Sequence, residues 1–184
     1  MKAVKKKLKT EIDVKNLTPK TFVSLHPIKR FIQAILKEEK IKTSLLTLLF
    51  VSDSYIKALN KKYRLKDSST DVLSFDLGNG PALKGCVAGD IVVSVDAARI
   101  SSKALHSSFK EELYRYIIHG ILHLTGYDDT TSIQRKKMWK RQEFLLKNIL
   151  GRKVSTFQCS KLNDFTSRRW NLGHGNQNAI LNRQ

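Results

Sequence analysis

The stretch "HGILHLTGYDD", residues 119–129, holds the residue types from which a metal site is built. His119 and His123 are four residues apart, so on a helix their imidazoles share one face and can reach one cation. Gly126 lets the chain leave that helix and fold back, which brings Asp128 or Asp129 toward the same point. In the zinc-protease pattern H-E-x-x-H-x-x-G-x-x-H, the second histidine, the glycine and the third ligand stand at the offsets of His123, Gly126 and Asp129. The spacing fits a three-ligand site with open positions for water and substrate.

Two departures from that pattern decide the chemistry. Gly120 stands where a protease carries its glutamate, so the side chain that would take a proton from attacking water is missing and peptide hydrolysis is disfavoured. Asp129 replaces a third histidine. Carboxylate oxygen is an acceptable zinc ligand, but its charge partly neutralises the metal and should acidify a bound water less. The competing reading is structural: two hydrogen-bonded core histidines, with Asp129 as N-cap of a helix beginning near Thr130.

The surrounding elements must position these groups. "EIDVKNL" alternates like an edge strand, and "HPIKRFIQAILKEEK" has an amphipathic helical stripe. "LLTLLFV" reads as a buried strand, and "SDSYIKALNKKYR" as a capped helix. "TDVLSF" and "VAGDIVVSV" are two further strands on either side of the Gly- and Pro-containing "LGNGPALKG". Asp90, in the last strand, is expected to serve structure, as a partner that orients a histidine ring. "SFKEELYRYIIHGILHLTG" is apolar on most sides, so it should be the central buried helix carrying the histidine pair. "TTSIQRKKMWKRQEFLLKNIL" restarts with threonine and serine caps. The fold class is therefore α+β, one domain with a small mixed sheet of about four strands packed against helices. Its expected limits are 11–150, between a basic N-terminal segment, 1–10, and a polar, basic extension, 151–184, expected to be flexible.

The chain has 184 residues, 41% of them hydrophobic, and a formal charge of +18, which favours polyanionic partners. No apolar run is long enough to cross a bilayer, and the basic N-terminus lacks a signal-peptide core, so a soluble cytoplasmic protein is expected. Two widely spaced cysteines suggest neither a disulfide framework nor a thiolate metal site.

"HGILHLTGYDD" resembles the H-G-x-L-H-L-x-G-Y-D-H signature of the YbeY endoribonucleases, also called rRNA maturation factors. "LNKKYRLKDSSTDVLSF", "GDIVVSV" and the helix from Met138 to Leu150 are similar in order and spacing to further segments of that family. The resemblance implies one Zn2+ on three side chains and cleavage of single-stranded RNA. It also implies a role in ribosomal RNA maturation, notably at the small-subunit RNA 3′ end, and in ribosome quality control. The small ribosomal subunit and its assembly factors are the partners it implies. By position, His119 and His123 would be the first two ligands and Arg64 the arginine needed for activity. Asp129 falls where the family usually has its third histidine, which leaves room for another divalent metal.

Phosphodiester cleavage builds negative charge on the phosphoryl oxygens, and a metal with Arg64 would oppose it. The metal could polarise such an oxygen or provide hydroxide, while the proton acceptor stays open between metal hydroxide and the ribose 2′-hydroxyl. From the residues alone, Arg64 reads rather as a surface ion pair or a phosphate clamp without catalytic weight, and only the resemblance favours the catalytic role. Arg135, Lys136, Lys137, Lys140 and Arg141 form a basic helix face beside the histidine stretch and are the expected RNA contacts, made to phosphate and therefore salt-sensitive. The alternative function is a non-catalytic ribosome-assembly or RNA-binding factor with a structural or empty metal site.

Overall fold

The computed structural model describes residues 10–18, 24–78, 85–151 and 181–182. In chain order the elements are β1 (Glu11–Asn16), α1 (Leu25–Glu38), β2 (Thr43–Val51), α2 (Asp53–Arg64), β3 (Val72–Asp76), β4 (Cys86–Ser94), α3 (Val95–Ala104), α4 (Phe109–Leu124), α5 (Ser132–Leu150) and β5 (Leu181–Asn182). The sheet order is β1-β2-β4-β3-β5. β1, β2 and β4 run parallel, β3 is antiparallel to β4, and the two-residue β5 extends the edge beside Phe75 and Asp76. The mixed α+β architecture agrees with the sequence reading. The basic start, most of the 79–85 connection and nearly all of the C-terminal extension lie outside the described residues.

Alternation along the strands gives the sheet two apolar faces. On one, Leu46, Leu48, Phe50, Ile91 and Val93 pack with α1, α4 and α5. On the other, Val51, Leu73, Phe75 and Val92 pack around Ile56 of α2. α4 is the central element: every residue from Glu111 to Leu124 is buried, as its nearly all-round apolar sequence requires. It begins with a capping box in which Ser108 Oγ accepts from the Glu111 amide and Glu111 Oε2 accepts from the Ser108 amide. A break with left-handed His106 (φ 51°) separates it from α3.

α4 can approach the sheet closely because of Gly120. A Cβ there would lie 2.7 Å from Ile91 Cγ2 and 3.1 Å from Ser74 Oγ. Ser74 Oγ also donates to the Gly120 carbonyl at 3.3 Å. The face of α4 that carries the histidines is thereby turned toward α5 and the loop before it. An ion-pair group, buried on the α4 side and half-buried at Glu143, joins α4 to α5. Arg115 donates from Nε to Glu143 Oε1 at 2.9 Å and from NH1 to Glu112 Oε1 at 2.7 Å.

Candidate metal centre

His119 and His123 lie on the last two turns of α4, with Nε2 atoms 3.1 Å apart and rings edge-on at 81°. α4 then closes in a Schellman motif. The Gly126 amide donates to the His123 carbonyl at 3.0 Å and the Tyr127 amide to the Leu122 carbonyl at 3.0 Å. Gly126, at φ +96°, adopts the backbone that lets the chain reverse. Beyond the turn, Asp129 Oδ2 lies 3.8 Å from His119 Nε2, and Oδ1 lies 4.0 Å from His123 Nε2. All three side chains are buried, and their ligand atoms lie within 4.8 Å of one another.

Asp129 is not the helix cap. Thr131 caps α5 in a box with Gln134. Asp128 organises the turn, its Oδ1 accepting from the Asp129 amide at 2.7 Å and its Oδ2 from Thr130 Oγ1 at 2.8 Å. Burial acts to raise the Asp128 pKa, but these hydrogen bonds outweigh it and hold the carboxyl below its ordinary 3.8. Asp128 therefore shapes the loop while Asp129 is delivered to the histidines.

The hydrogen bonds on the far side of each ring test whether the group suits a cation. His123 Nδ1 faces the Tyr127 carbonyl at 3.1 Å, so that nitrogen carries the proton and Nε2 presents a lone pair. His119 Nδ1 faces Gln142 Oε1 at 3.2 Å, with the same consequence. Two ring nitrogens 3.1 Å apart beside a carboxylate form a concavity of donor atoms that a divalent cation would bridge. His119, His123 and Asp129 thus fit a metal ion, and their donor types suit zinc and its first-row neighbours alike.

Arg64 ends α2, with Leu65 following in a left-handed conformation (φ 57°). Although α2 covers the opposite face of the sheet, the Arg64 guanidinium comes within electrostatic reach of Asp129 and His123. Partial burial pulls its pKa below that of a free arginine side chain, while the Asp129 carboxylate acts in the opposite direction. Buried Asn60, one turn before Arg64, fixes the next loop by donating from Nδ2 to the Ser68 carbonyl at 2.8 Å. Thr70 and Asp71 brace the entry to β3, Asp71 Oδ1 accepting from the Val72 amide at 2.9 Å.

The basic face of α5 divides in two. Lys136, Lys137 and Lys140 are exposed. Arg135 Nε donates to the Asp129 carbonyl at 3.3 Å and so braces the loop itself. Arg141 ties α5 to the end of α1, donating from Nε to Glu39 Oε1 at 2.7 Å. Sequence reasoning did not single out Gln142 or the Tyr127 carbonyl as ring partners, and it assigned ring orientation to Asp90. The available signal was a glutamine in the buried stripe Met138, Gln142, Leu145 and Leu146. A polar group on an apolar stripe calls for a partner.

Burial pushes the His123 pKa below 6.5. Asp129, the Tyr127 carbonyl and Asp128 oppose that shift, and Arg64 reinforces it. Between that lowered value and 6.5 the unfolded chain binds more protons than the native one, so stability rises with pH across this window. The metal-free protein should therefore lose thermal stability as pH falls from 6.5 through the folded-state value. His123→Gln should lack that component in chelator-treated melts, and an identical pH profile in the two proteins would refute the assignment.

The profile of the family described as Endoribonuclease YbeY matches residues 9–150. An Endoribonuclease YbeY of Treponema denticola is 40% identical over 129 residues, covering 67% of this chain and 83% of that protein. One of Halalkalibacterium halodurans is 43% identical over 110 residues, covering 55% and 69%. The solution structure of TM1509 from Thermotoga maritima superposes with a TM-score of 0.57 at 29% identity, over 76% of this chain and 89% of that one. The matched span contains every element from β1 to α5 and the whole His119, His123 and Asp129 group, and the chain belongs to the YbeY endoribonuclease family.

Proposed function

We propose that this protein is a metal-dependent endoribonuclease that cuts single-stranded RNA. We further propose that it acts in ribosomal RNA maturation at the small-subunit 3′ end and in ribosome quality control, with the small subunit and its assembly factors as partners. The observation that carries the reading is the convergence of two imidazoles and one carboxylate within electrostatic reach of Arg64, in a chain of charge +18. The names of the relatives support the reaction class.

The ion we propose is Zn2+, held by His119, His123 and Asp129, where it would supply a Lewis acid to the scissile phosphodiester. Arg64 places a fixed positive charge beside the same point, opposing the charge that grows on the phosphoryl oxygens. Lys136, Lys137 and Lys140 present exposed ammonium groups on the helix that follows the site, suited to backbone phosphates without reading sequence. Leu65 is 91% exposed beside Arg64, and Ile133 is 79% exposed in the first turn of α5, so both offer apolar surface to unstacked bases.

The test joins metal analysis of protein purified without a tag to cleavage of a single-stranded RNA. Wild type should carry about one metal per chain. Arg64→Ala should keep that metal and cleave on the order of 100-fold more slowly. RNA affinity should fall steeply with salt, and Lys136→Glu/Lys137→Glu/Lys140→Glu should flatten the slope. Metal-free wild type with cleavage equal to that of Arg64→Ala and His119→Ala would replace this reading with the non-catalytic RNA-binding factor.

A further inference from the structure

The reading of His119 as a metal ligand requires one tautomer, and the structure shows what selects it. His119 Nδ1 meets Gln142 Oε1 at 3.2 Å, in buried surroundings. An amide offers an acceptor at one end and a donor at the other, so a glutamine alone could serve either form of the ring. Its direction is set from its far end. Gln142 Nε2 donates to Glu143 Oε1 at 3.3 Å, a bond that only the NH2 end can make to a carboxylate. Glu143 is itself held by Arg115, from Nε to Oε1 at 2.9 Å and from NH2 to Oε2 at 3.3 Å. Arg115, 5% exposed, is anchored in turn on Glu112, which is 1% exposed.

We infer that Gln142 is a positioning residue for the metal centre, and that the Glu112, Arg115 and Glu143 ion-pair group fixes its amide so that His119 keeps its proton on Nδ1 and directs the Nε2 lone pair into the site. The inference rests on the metal-site reading above and extends it. The charges between α4 and α5 then do more than join two helices. They transmit a defined polarity, carboxylate to amide NH2 and amide oxygen to ring N–H, ending at a ligand atom. A ring free to protonate Nε2 would turn a donor toward the cation and lose the contact. Groups that hold a ligating histidine in this way typically contribute about 10–100-fold to metal affinity.

The experiment uses full-length protein labelled with 15N-histidine, stripped of metal with chelator. Long-range proton–nitrogen spectra read the tautomer of His119 without RNA or cleavage, so a failed endonuclease reading would not disturb the result. Wild type should show His119 protonated at Nδ1 alone, and the opposite tautomer in wild type overturns the inference without any substitution. Gln142→Met should mix the two tautomers and weaken Co2+ binding, followed by its visible absorption, by about 10–100-fold. Glu143→Gln should act in the same direction. Gln142→Glu/Glu143→Gln, in which residue 142 can only accept, should restore the Nδ1 tautomer, an outcome that a merely structural role for Glu143 does not produce. An unchanged tautomer and a Co2+ affinity within about twofold of wild type in folded Gln142→Met overturn the inference.

Discussion

Asp129→Ala is expected to fold and to lose at least about 100-fold in metal affinity, with cleavage of single-stranded RNA falling to background. That loss should exceed the roughly 10–100-fold typical of residues that only orient a ligand. The carboxylate lies 3.8 Å from one Nε2 and 4.0 Å from the other, and it is the negative group of the cluster. Its backbone carbonyl is held by Arg135 and the turn by Asp128, and neither contact involves the Asp129 side chain. Truncation should therefore remove a donor atom and leave the loop in place. Asp129→His tests the charge argument from the other side. A neutral imidazole would leave the cation with more of its charge, so any retained cleavage should extend to lower pH than in wild type. Equilibrium dialysis with Zn2+, together with pH profiles of cleavage, checks both variants. Undiminished affinity in Asp129→Ala would remove the carboxylate from the site and with it the three-ligand reading.

The parts of the site that the sequence made legible are those carried by local rules. Helical spacing put His119 and His123 on one face, and Gly126 predicted the turn that the Schellman bonds complete. The apolar character of residues 113–124 predicted a buried helix, and α4 is one. Longer-range relations were not readable in the same way. Nothing in the period of α2 says that its last residue will reach the charge of Asp129 across the sheet. The resemblance, not the pattern, selected Arg64. Gln142 escaped because its partner is 23 residues away on another helix, and local spacing is silent about pairs that only packing creates. The basic run on α5 read as one face, but Arg135 and Arg141 bond to the Asp129 carbonyl and to Glu39, while the lysines between them remain in solvent. Like charges in sequence thus have different tasks once neighbours are present.

Gly120 gives the sharpest separation between a residue that is missing for chemistry and one that is missing for space. Gly120→Ala is expected to lower stability by roughly 1–2 kcal/mol, even though alanine is favoured over glycine in a helix by about 1 kcal/mol. The added Cβ would sit 2.7 Å from Ile91 Cγ2, and Ile91 is 1% exposed in β4 with no room to retreat. Overpacking typically costs about 1–3 kcal/mol, and a contact this short against a buried, branched neighbour belongs in the upper part of that range, about 2–3 kcal/mol, which exceeds the helix gain by roughly 1–2 kcal/mol. The melting temperature should drop by roughly 2–8 °C. Gly120→Glu should fail to fold, since it drives a longer side chain and an unpartnered charge into the same contact, which costs several kcal/mol. Restoring the protease-like residue therefore cannot create a peptidase, because position 120 points at β3 and β4 whereas the histidine rings point at Gln142 and the Tyr127 carbonyl. Gly126 supplies the contrast: a Cβ there meets no heavy atom within 4 Å, and only its φ of +96° resists replacement. Gly126→Asn, a residue that tolerates left-handed backbone, should recover part of the loss seen in Gly126→Ala. Gly120→Asn should recover nothing relative to Gly120→Ala. Thermal melts of the four alanine and asparagine variants decide the matter, and a Gly120→Ala protein as stable as wild type would show that α4 does not rest on the sheet at this residue.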